Sequence, residues 1–349
     1  MAMSMFSEAY DALRKVVVTQ AEFDAEWQKF LNKEVVPILG TSGPDSAHAA
    51  GLDKLRERIE DSSGGGFASF FLGGLVGEAI VAAAKKTGAE AGLARRCAAL
   101  KMLKHLYRAE QTGAQSVWIL SPPKAYSKWV FDEIVGTEKN LTALLSKEAE
   151  VYSAANRKTM CTALHQAVAC AQYSAVKLGS PDPATTTVFE RWFADGTASE
   201  TDIAAKMTSM GTEFTRIAAV LGSNLLVFSD EPKDRTSGGW KDWGFVYSSE
   251  KMDVVYLQNA FLKASGNSGD LWKCVLTLVH EVSHRVAATD DNRYDNGSPG
   301  KVGGRGLKPD GTFTFDYATN NADSWAYFCV DLKGMLSKCD RNAALAGTK

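Results

Sequence analysis

The sequence has few histidines, no CxxC pair and no excess of positive charge. Its 349 residues include five histidines and six cysteines, and the formal net charge is −2. Without a CxxC pair the cysteines do not indicate a zinc site, and their even number leaves the redox compartment open. Without a basic run there is no electrostatic footprint for nucleic acid, so we expect no nucleic-acid partner.

The sequence also lacks a recognisable secretion signal. The first residues, MAMSMFSEAYDALRKVVV, carry charges throughout and have no continuous apolar core. We therefore expect delivery by a signal-independent route, or else a cytoplasmic protein. Residues 67–84 contain one charge, Glu78, and have only marginal length for a membrane span. The glycines and the glutamate of this stretch favour a buried helical segment over membrane contact.

Length and hydrophobic pattern predict two regions. A chain of this length with 45% hydrophobic residues can bury a sizeable core. Residues 1–150 show apolar positions at helical period, including the run 92–111, and predict a mainly helical region for delivery, inhibition or regulation. Residues 151–349 predict mixed helix and strand, so the fold class is α+β with a small sheet. The helices are expected near 157–176 and 199–221, the strands at 225–229, 245–248 and 254–258, and a loop at 177–187.

The most informative motif is HEVSH, at residues 280–284. On a helix it places His280 and His284 four residues apart on one face, which is the spacing of zinc ligands. Glu281 is placed to take a proton from a water that the metal activates, as peptide hydrolysis at neutral pH requires. The alternative is a pair of ordinary histidines on a solvated helix.

The residues before the motif favour a helix. Asp270 is a candidate N-cap, and apolar residues follow it at helical spacing. The histidines fall beside this apolar stripe, on a neighbouring face where a cleft could lie. The stripe consists of Leu271, Val275, Leu278 and Val282.

A zinc site with two histidines needs a third protein ligand and an open position. Asp291 lies seven residues beyond His284, in the stretch ATDDNRYD at 288–295. HExxH followed by this stretch resembles the aspzincin metallopeptidases, the deuterolysin and peptidyl-Lys metalloendopeptidase group, whose pattern continues as G-T-x-D-x-x-Y-G. The chain keeps Thr289, Asp291 and Tyr294 of that pattern. It has Ala288 and Asp295 where the family has glycine.

Two further segments extend the resemblance to roughly residues 155–335: FERWF at 189–193 and NNADSWAYF at 320–328. The resemblance implies a zincin-like catalytic domain whose active-site helix carries HExxH. It implies a Zn²⁺ ion held by His280, His284 and Asp291, with Glu281 as general base. It also implies that Tyr294 donates a hydrogen bond to the oxyanion.

Several of these residues have alternatives. Tyr294 could instead be a packed aromatic residue. Asp290 and Asp295 are expected to be turn residues or to support the ligands through hydrogen bonds. Asp323 either orients a ligating histidine or binds substrate in the S1′ pocket. Lysine-specific relatives carry a second acidic residue three positions later, where this chain has Ala326. The glycine-rich stretch 295–311 is expected to be a flap over the cleft or a surface excursion.

The sequence thus predicts a zinc-dependent endopeptidase that acts on polypeptides. A bacterial origin would suit a secreted effector or toxin, with a cognate inhibitor or immunity protein as a partner. The alternatives are a non-catalytic binding module that keeps zinc for stability and a zinc hydrolase with a non-peptide substrate.

Overall fold

The structure is a computed structural model. It describes residues 5–19, 23–63, 73–86, 90–110, 115–266, 268–296, 298 and 300–348. In the first 150 residues the α-helices are α1 (Phe6–Thr19), α2 (Ala25–Phe30), α3 (Ala50–Ser62), α4 (Gly73–Ala84), α5 (Leu93–Lys104), α6 (Val130–Glu133) and α7 (Glu138–Leu145). The later ones are α8 (Ala154–Gly179), α9 (Pro183–Phe193), α10 (Glu200–Leu221), α11 (Asn259–Ser265), α12 (Leu271–Ala287), α13 (Phe315–Thr319), α14 (Ala322–Leu332) and α15 (Lys338–Ala346).

The long helices begin where side chains satisfy the free N–H groups of the first turn. Ser153 and Ser199 each open a capping box, which starts α8 and α10. Asp182 caps α9, and Pro183 follows it at the first helical position. As a result α8 extends to Gly179 and α9 starts at Pro183, so the loop predicted at 177–187 shrinks to three residues.

Five strands form one sheet in the order β1, β2, β3, β5, β4. They are β1 (Leu106–Ala109), β2 (Val117–Leu120), β3 (Val227–Ser229), β4 (Gly244–Phe245) and β5 (Val254–Leu257). The central strands β2, β3 and β5 are parallel, and the two edge strands pair antiparallel with their neighbours. Mixed helix and one small sheet agree with the α+β class. The strands predicted at 225–229 and 254–258 are present with shorter bounds, whereas β4 overlaps the strand predicted at 245–248 only at Phe245.

The first two strands were not predicted. The run 92–111 is helical only as far as Lys104, because Leu106–Ala109 pairs with Val117–Leu120. Pairing with the next strand along the chain outweighs the local apolar period there. The predicted mainly helical region therefore also contributes two strands.

The two faces of the sheet are buried by different parts of the chain. Successive side chains of a strand point to opposite faces. In β5, Val254 and Tyr256 join the core formed with the N-terminal helices. Val255 and Leu257 join the core formed with α8, α10, α12 and α14. The sheet is thus a middle layer between two helical layers.

Hydrogen bonds from a buried ion pair also link the residues on either side of residue 150. Asp230 and Arg235 are paired through Nε of the arginine, and the side chain of Asp230 is fully buried. The Arg235 guanidinium donates to the backbone oxygens of Pro123 at 2.7 Å and Tyr126 at 2.9 Å. The boundary at residue 150 stays a prediction, but the sheet and this ion pair connect the residues on either side of it.

The candidate membrane segment lies partly outside the described residues, which begin again at residue 73. Residues 73–84 form α4, in which Val76, Ile80 and Val81 are buried. Within the described ranges, no helix combines the length and the apolar character needed to cross a membrane.

We expect a fragment of residues 151–349 to lose most of its stability. It would lack β2 and the helices that cover Val227, Val254 and Tyr256. Returning a buried aliphatic or aromatic side chain to water costs about 1.5–3 kcal/mol, so three cost on the order of 5 kcal/mol, as much as the net stability of many domains. Urea unfolding of the fragment and the full chain checks this. A cooperative transition at the midpoint of the full chain would show that residues 151–349 fold alone.

Candidate metal centre

The motif HEVSH lies in the last three turns of α12. Val275, Leu278 and Val282 are buried on one side of this helix, as the apolar period predicted. Asp270 stands at the N-cap position, but its side chain does not cap the helix and instead pairs with Lys273 at 2.5 Å. The packed stripe fixes the rotation of α12 and directs both histidines to one side.

Each histidine has its Nδ1 atom held by a hydrogen bond. His280 Nδ1 lies 2.8 Å from Asp323 Oδ1, and His284 Nδ1 lies 2.7 Å from the backbone oxygen of Thr289. A carboxylate and a carbonyl oxygen both accept, so each Nδ1 carries the proton. The Nε2 atoms of the neutral rings are therefore free to bind a metal through their lone pairs.

The two Nε2 atoms and Asp291 Oδ1 form a nearly regular triangle. The Nε2 atoms of His280 and His284 are 3.1 Å apart. Asp291 Oδ1 lies 3.3 Å from the first and 3.4 Å from the second. Ligands at the usual zinc distances in a tetrahedral site are about 3.3 Å from one another, so the triangle has the size of one face of a zinc tetrahedron.

The surroundings of Asp291 Oδ1 support the fit to zinc. This oxygen is buried and has no hydrogen-bond partner within the described part of the chain. It faces two nitrogens that have no proton to donate when the rings are neutral. A buried carboxylate oxygen without a donor is costly. A cation between the three atoms would satisfy all of them, and zinc commonly takes two imidazole nitrogens and one carboxylate oxygen.

The charged groups of the site favour the binding of a cation. Burial alone would raise the pKa of Asp291, but the imidazoles of His280 and His284 more than offset it and lower that pKa. Burial would lower the pKa of His280, but Asp291 and Asp323 outweigh burial and raise it. Without a metal the histidines would hold protons beside the carboxylates. Metal binding displaces such protons, and acid therefore weakens it.

Glu281 lies beside this triangle rather than in it. Its Oε1 atom is 4.0 Å from His280 Nε2, farther than Asp291 Oδ1. Although ligand atoms of His280, Glu281 and His284 lie within 4.8 Å of one another, the shorter distances to Asp291 make the aspartate the better third ligand. Burial raises the pKa of Glu281, an effect that the neighbouring imidazoles oppose.

Tyr294 is half-buried at the same site. Burial raises the pKa of its phenol, and the charge of Asp291 and a hydrogen bond with that carboxylate raise it further. The phenol therefore stays protonated at neutral pH and can donate a hydrogen bond. This position is compatible with the oxyanion role, which stays a prediction.

Ala288 ends α12 in a conformation that normally selects glycine. Its φ is 51° and its ψ is 37°, and it is the one non-glycine residue with positive φ in the described ranges. Here the aspzincin pattern has glycine, which adopts this conformation without steric cost. The turn at Ala288 brings the Thr289 carbonyl to His284 and directs the chain toward Asp291.

Asn321 holds the segment between Asp291 and Tyr294. Its side chain is fully buried, and its Oδ1 accepts the backbone N–H groups of Asn292 and Arg293, both at 2.9 Å. Its Nδ2 donates to the Arg293 oxygen at 3.0 Å. Sequence reasoning did not identify Asn321, although it lies two residues before Asp323 in NNADSWAYF. The sequence signal that could have identified it is an amide side chain within NNADSWAYF, a segment that already carries the family resemblance.

The side chains of the neighbouring aspartates already have hydrogen-bond or ion-pair partners. Besides His280, Asp323 contacts the backbone N–H of Asp295, which it accepts at 3.2 Å through Oδ2. These contacts favour the orienting role of Asp323, and its substrate-binding role stays a prediction. Asp290 pairs with Lys301 at 2.6 Å, and Asp295 accepts the hydroxyl of Tyr327 at 2.5 Å.

The glycine-rich stretch is attached to the site segment on both sides. Its residues Lys301 and Val302 donate backbone hydrogen bonds to the oxygens of Asp291 and Asn292, at 3.1 and 2.8 Å. Arg293 is buried and reaches Asp310 at 2.9 Å and Thr312 at 2.8 Å. These bonds hold the middle of the stretch and its C-terminal end beside residues 291–293.

A cleft of about 750 Å³ opens at the ligands. His284 and Asp291 line this cleft together with Tyr247 and Arg216. A second cleft of about 690 Å³, between α10 and α13, contains none of the three ligands. The first cleft is therefore the one through which a substrate would reach the metal.

The comparison with protein families agrees with this geometry. Residues 179–330 match the aspzincin family, described as lysine-specific metallo-endopeptidase. The chain carries an aspzincin domain. Its matched residues include β3, β5, α12, α13 and most of α14, so the ligands and the residues that orient them all lie within the aspzincin domain. The family prediction from the sequence is confirmed. No curated protein matches the chain.

Ala288→Gly is expected to stabilise the protein by about 1 kcal/mol, because glycine removes the strain of a left-handed alanine. Ala287→Gly, at the last helical residue, is the matched control and is expected to destabilise by up to about 1 kcal/mol. Urea unfolding midpoints measure both. A loss of stability in Ala288→Gly equal to that of the control would contradict the assigned backbone conformation.

Proposed function

We propose that the protein is a zinc-dependent endopeptidase. The observation that carries the proposal is the triangle of His280 Nε2, His284 Nε2 and Asp291 Oδ1, with a buried carboxylate beside it. The family match supports metallopeptidase activity and zinc dependence. His280, His284 and Asp291 would hold the ion. When bound, zinc polarises the scissile carbonyl and makes water more acidic.

Glu281 is the general base in this proposal. Burial raises the pKa of its carboxyl toward the pH at which a base must work, which improves proton transfer. It takes a proton from the attacking water and then passes it to the leaving amine. Tyr294 stays protonated and donates a hydrogen bond to the oxygen of the scissile carbonyl as negative charge develops there.

The substrate is an extended polypeptide. Strand β4 lies at one edge of the described sheet, and a methyl group added at Gly244 would lie 3.5 Å from Thr277 of α12, so the edge runs beside the helix that carries the ligands. An extended peptide can add to such an edge through main-chain hydrogen bonds. The residues that follow β4 line the cleft, where they would contact its side chains.

The side chains of the cleft favour a relaxed specificity. Its lysine and arginine side chains are already paired: Arg285 with Asp253 and Lys301 with Asp290, both at 2.6 Å, and Arg216 with Glu213 at 2.7 Å. Asp323 is occupied by His280, and the second acidic residue of lysine-specific relatives is replaced by Ala326, which is buried. A lysine ammonium needs carboxylates to replace its water. We propose that lysine is tolerated after the cleaved bond but not required.

Delivery as an effector or toxin, with an immunity protein as partner, is a further proposal. The substrate and the chemistry do not depend on it.

The decisive experiment is digestion of a denatured proteome by zinc-loaded protein, with Glu281→Gln as the matched control. The wild type is expected to cleave before several residue types, including lysine. The Gln variant is expected to keep its zinc and to lose activity by about a hundredfold or more, because it lacks the base. Full activity in the Gln variant would contradict the mechanism, and strict cleavage before lysine would contradict the relaxed specificity.

Zinc content is expected to separate the two adjacent aspartates. Asp291→Ala removes a ligand and is expected to lower zinc affinity at least about a hundredfold, the upper range seen for weaker outer contacts. Asp290→Ala removes only the ion pair with Lys301 and is expected to retain zinc. Titration with a chelating indicator measures both. Equal losses in the two variants would mean that Asp291 is not the third ligand.

A further inference from the structure

The wall of the cleft next to the metal is formed by residues 245–253, here called the cleft wall. Val246, Tyr247 and Ser248 of this segment line the cleft. None of the lining residues precedes Arg216, so in the described part of the chain the N-terminal region does not cover the cleft. The N-terminal region instead contacts the cleft wall from behind.

The first turn of α1 is bonded to two buried side chains: Tyr256, which lies behind the cleft wall, and Glu250, which belongs to the wall and lines the cleft. The backbone N–H of Phe6 donates to the hydroxyl oxygen of Tyr256 at 2.9 Å, and that of Ser7 donates to Glu250 Oε1 at 3.1 Å. The Tyr256 hydroxyl donates to Glu250 Oε2 at 2.7 Å. The N–H groups of a first helical turn lack partners within the helix, and a carboxylate there is further stabilised by the helix dipole.

The same two residues support the cleft wall, and the backbone of Glu250 connects it to α12. The ring of Tyr256 stacks on Phe245 at 4.8 Å between centroids and meets Tyr247 edge-on at 5.2 Å. The backbone oxygen of Glu250 accepts from Arg285 Nη1 at 3.0 Å. Arg285 directly follows the ligand His284. The cleft wall is therefore held between α1 on one side and α12 on the other.

We propose that α1 positions the cleft wall: its first turn fixes Glu250 and Tyr256, and these fix the surface against which substrate lies. The N-terminal region then supports the active site instead of blocking it. That this surface binds substrate rests on the proposed peptidase function. The rigidity of the cleft wall does not depend on that function, so substrate binding and rigidity can be tested separately.

Tyr256→Phe is the test variant, because it keeps the stacked ring and removes only the hydroxyl group. Tyr126→Phe is the matched control, since it also deletes one hydroxyl from a buried tyrosine, which donates to the Leu144 oxygen at 3.0 Å and does not line the cleft. Glu250→Gln, which keeps the length of the side chain but not its charge, is a second variant if Tyr256→Phe folds poorly.

Amide hydrogen exchange of the full-length protein measures the cleft wall without substrate. The Glu250 amide, bonded to the Tyr247 oxygen at 3.1 Å, is a reporter. Tyr256→Phe loses two hydrogen bonds, one from Phe6 and one to Glu250. The exchange of the Glu250 amide is expected to accelerate at least about fivefold in this variant and to stay at the wild-type rate in Tyr126→Phe. Unchanged exchange in Tyr256→Phe, or equal acceleration in both variants, would overturn the proposal.

Peptide cleavage provides the functional readout. In Tyr256→Phe we expect KM to rise several-fold, while kcat and zinc content stay close to wild type, because the cleft wall binds substrate but performs no chemistry. A fall in kcat with unchanged KM would overturn the positioning role. If wild-type protein cleaves no peptide but exchange accelerates only in Tyr256→Phe, the peptidase proposal fails while the support of the cleft wall by α1 stands.

Discussion

The site depends on three lone pairs that face one another without a proton between them. His280 and His284 donate through Nδ1, to Asp323 and to the Thr289 carbonyl, so both Nε2 atoms face Asp291 Oδ1. Such an arrangement is unfavourable by itself and becomes favourable only with a cation or with extra protons. The raised pKa of His280 and the lowered pKa of Asp291 have this one cause in common.

The surrounding structure holds this arrangement in place. The carbonyl of Thr289 reaches His284 because the chain turns through a left-handed Ala288. Asp291 is held by the bonds that Asn321 makes to the two following residues, and Asp323 comes from the same helix start as Asn321. The start of α14 thus orients one ligand directly and another through the backbone. A loop without such hydrogen bonds would hold a carboxylate less accurately, because a segment that has few contacts moves easily.

Much of the site was predictable because its signals are local. The four-residue spacing of His280 and His284 indicates a metal site only if the segment is helical. The apolar stripe through Val275 and Leu278 predicted that helix. Asp291 followed from the aspzincin frame. The orientation of Asp323 was not predictable, because its choice between His280 and a substrate pocket depends on where α14 lies relative to α12. Asn321 acts through backbone groups, which leave no pattern in the sequence.

The fold was less predictable because its sheet is assembled across the chain. β1 and β2 are four residues each, too short for a clear alternation, and their pairing with each other and with β3 decides their structure. The matched segment 179–330 contains β3, β4 and β5 but neither of these strands. Val227, Val254 and Tyr256 on one face of its sheet are therefore covered by residues outside the aspzincin match. Since Tyr256 also stacks on Phe245 beside the cleft, the packing that stabilises the sheet is the same packing that shapes the wall of the cleft.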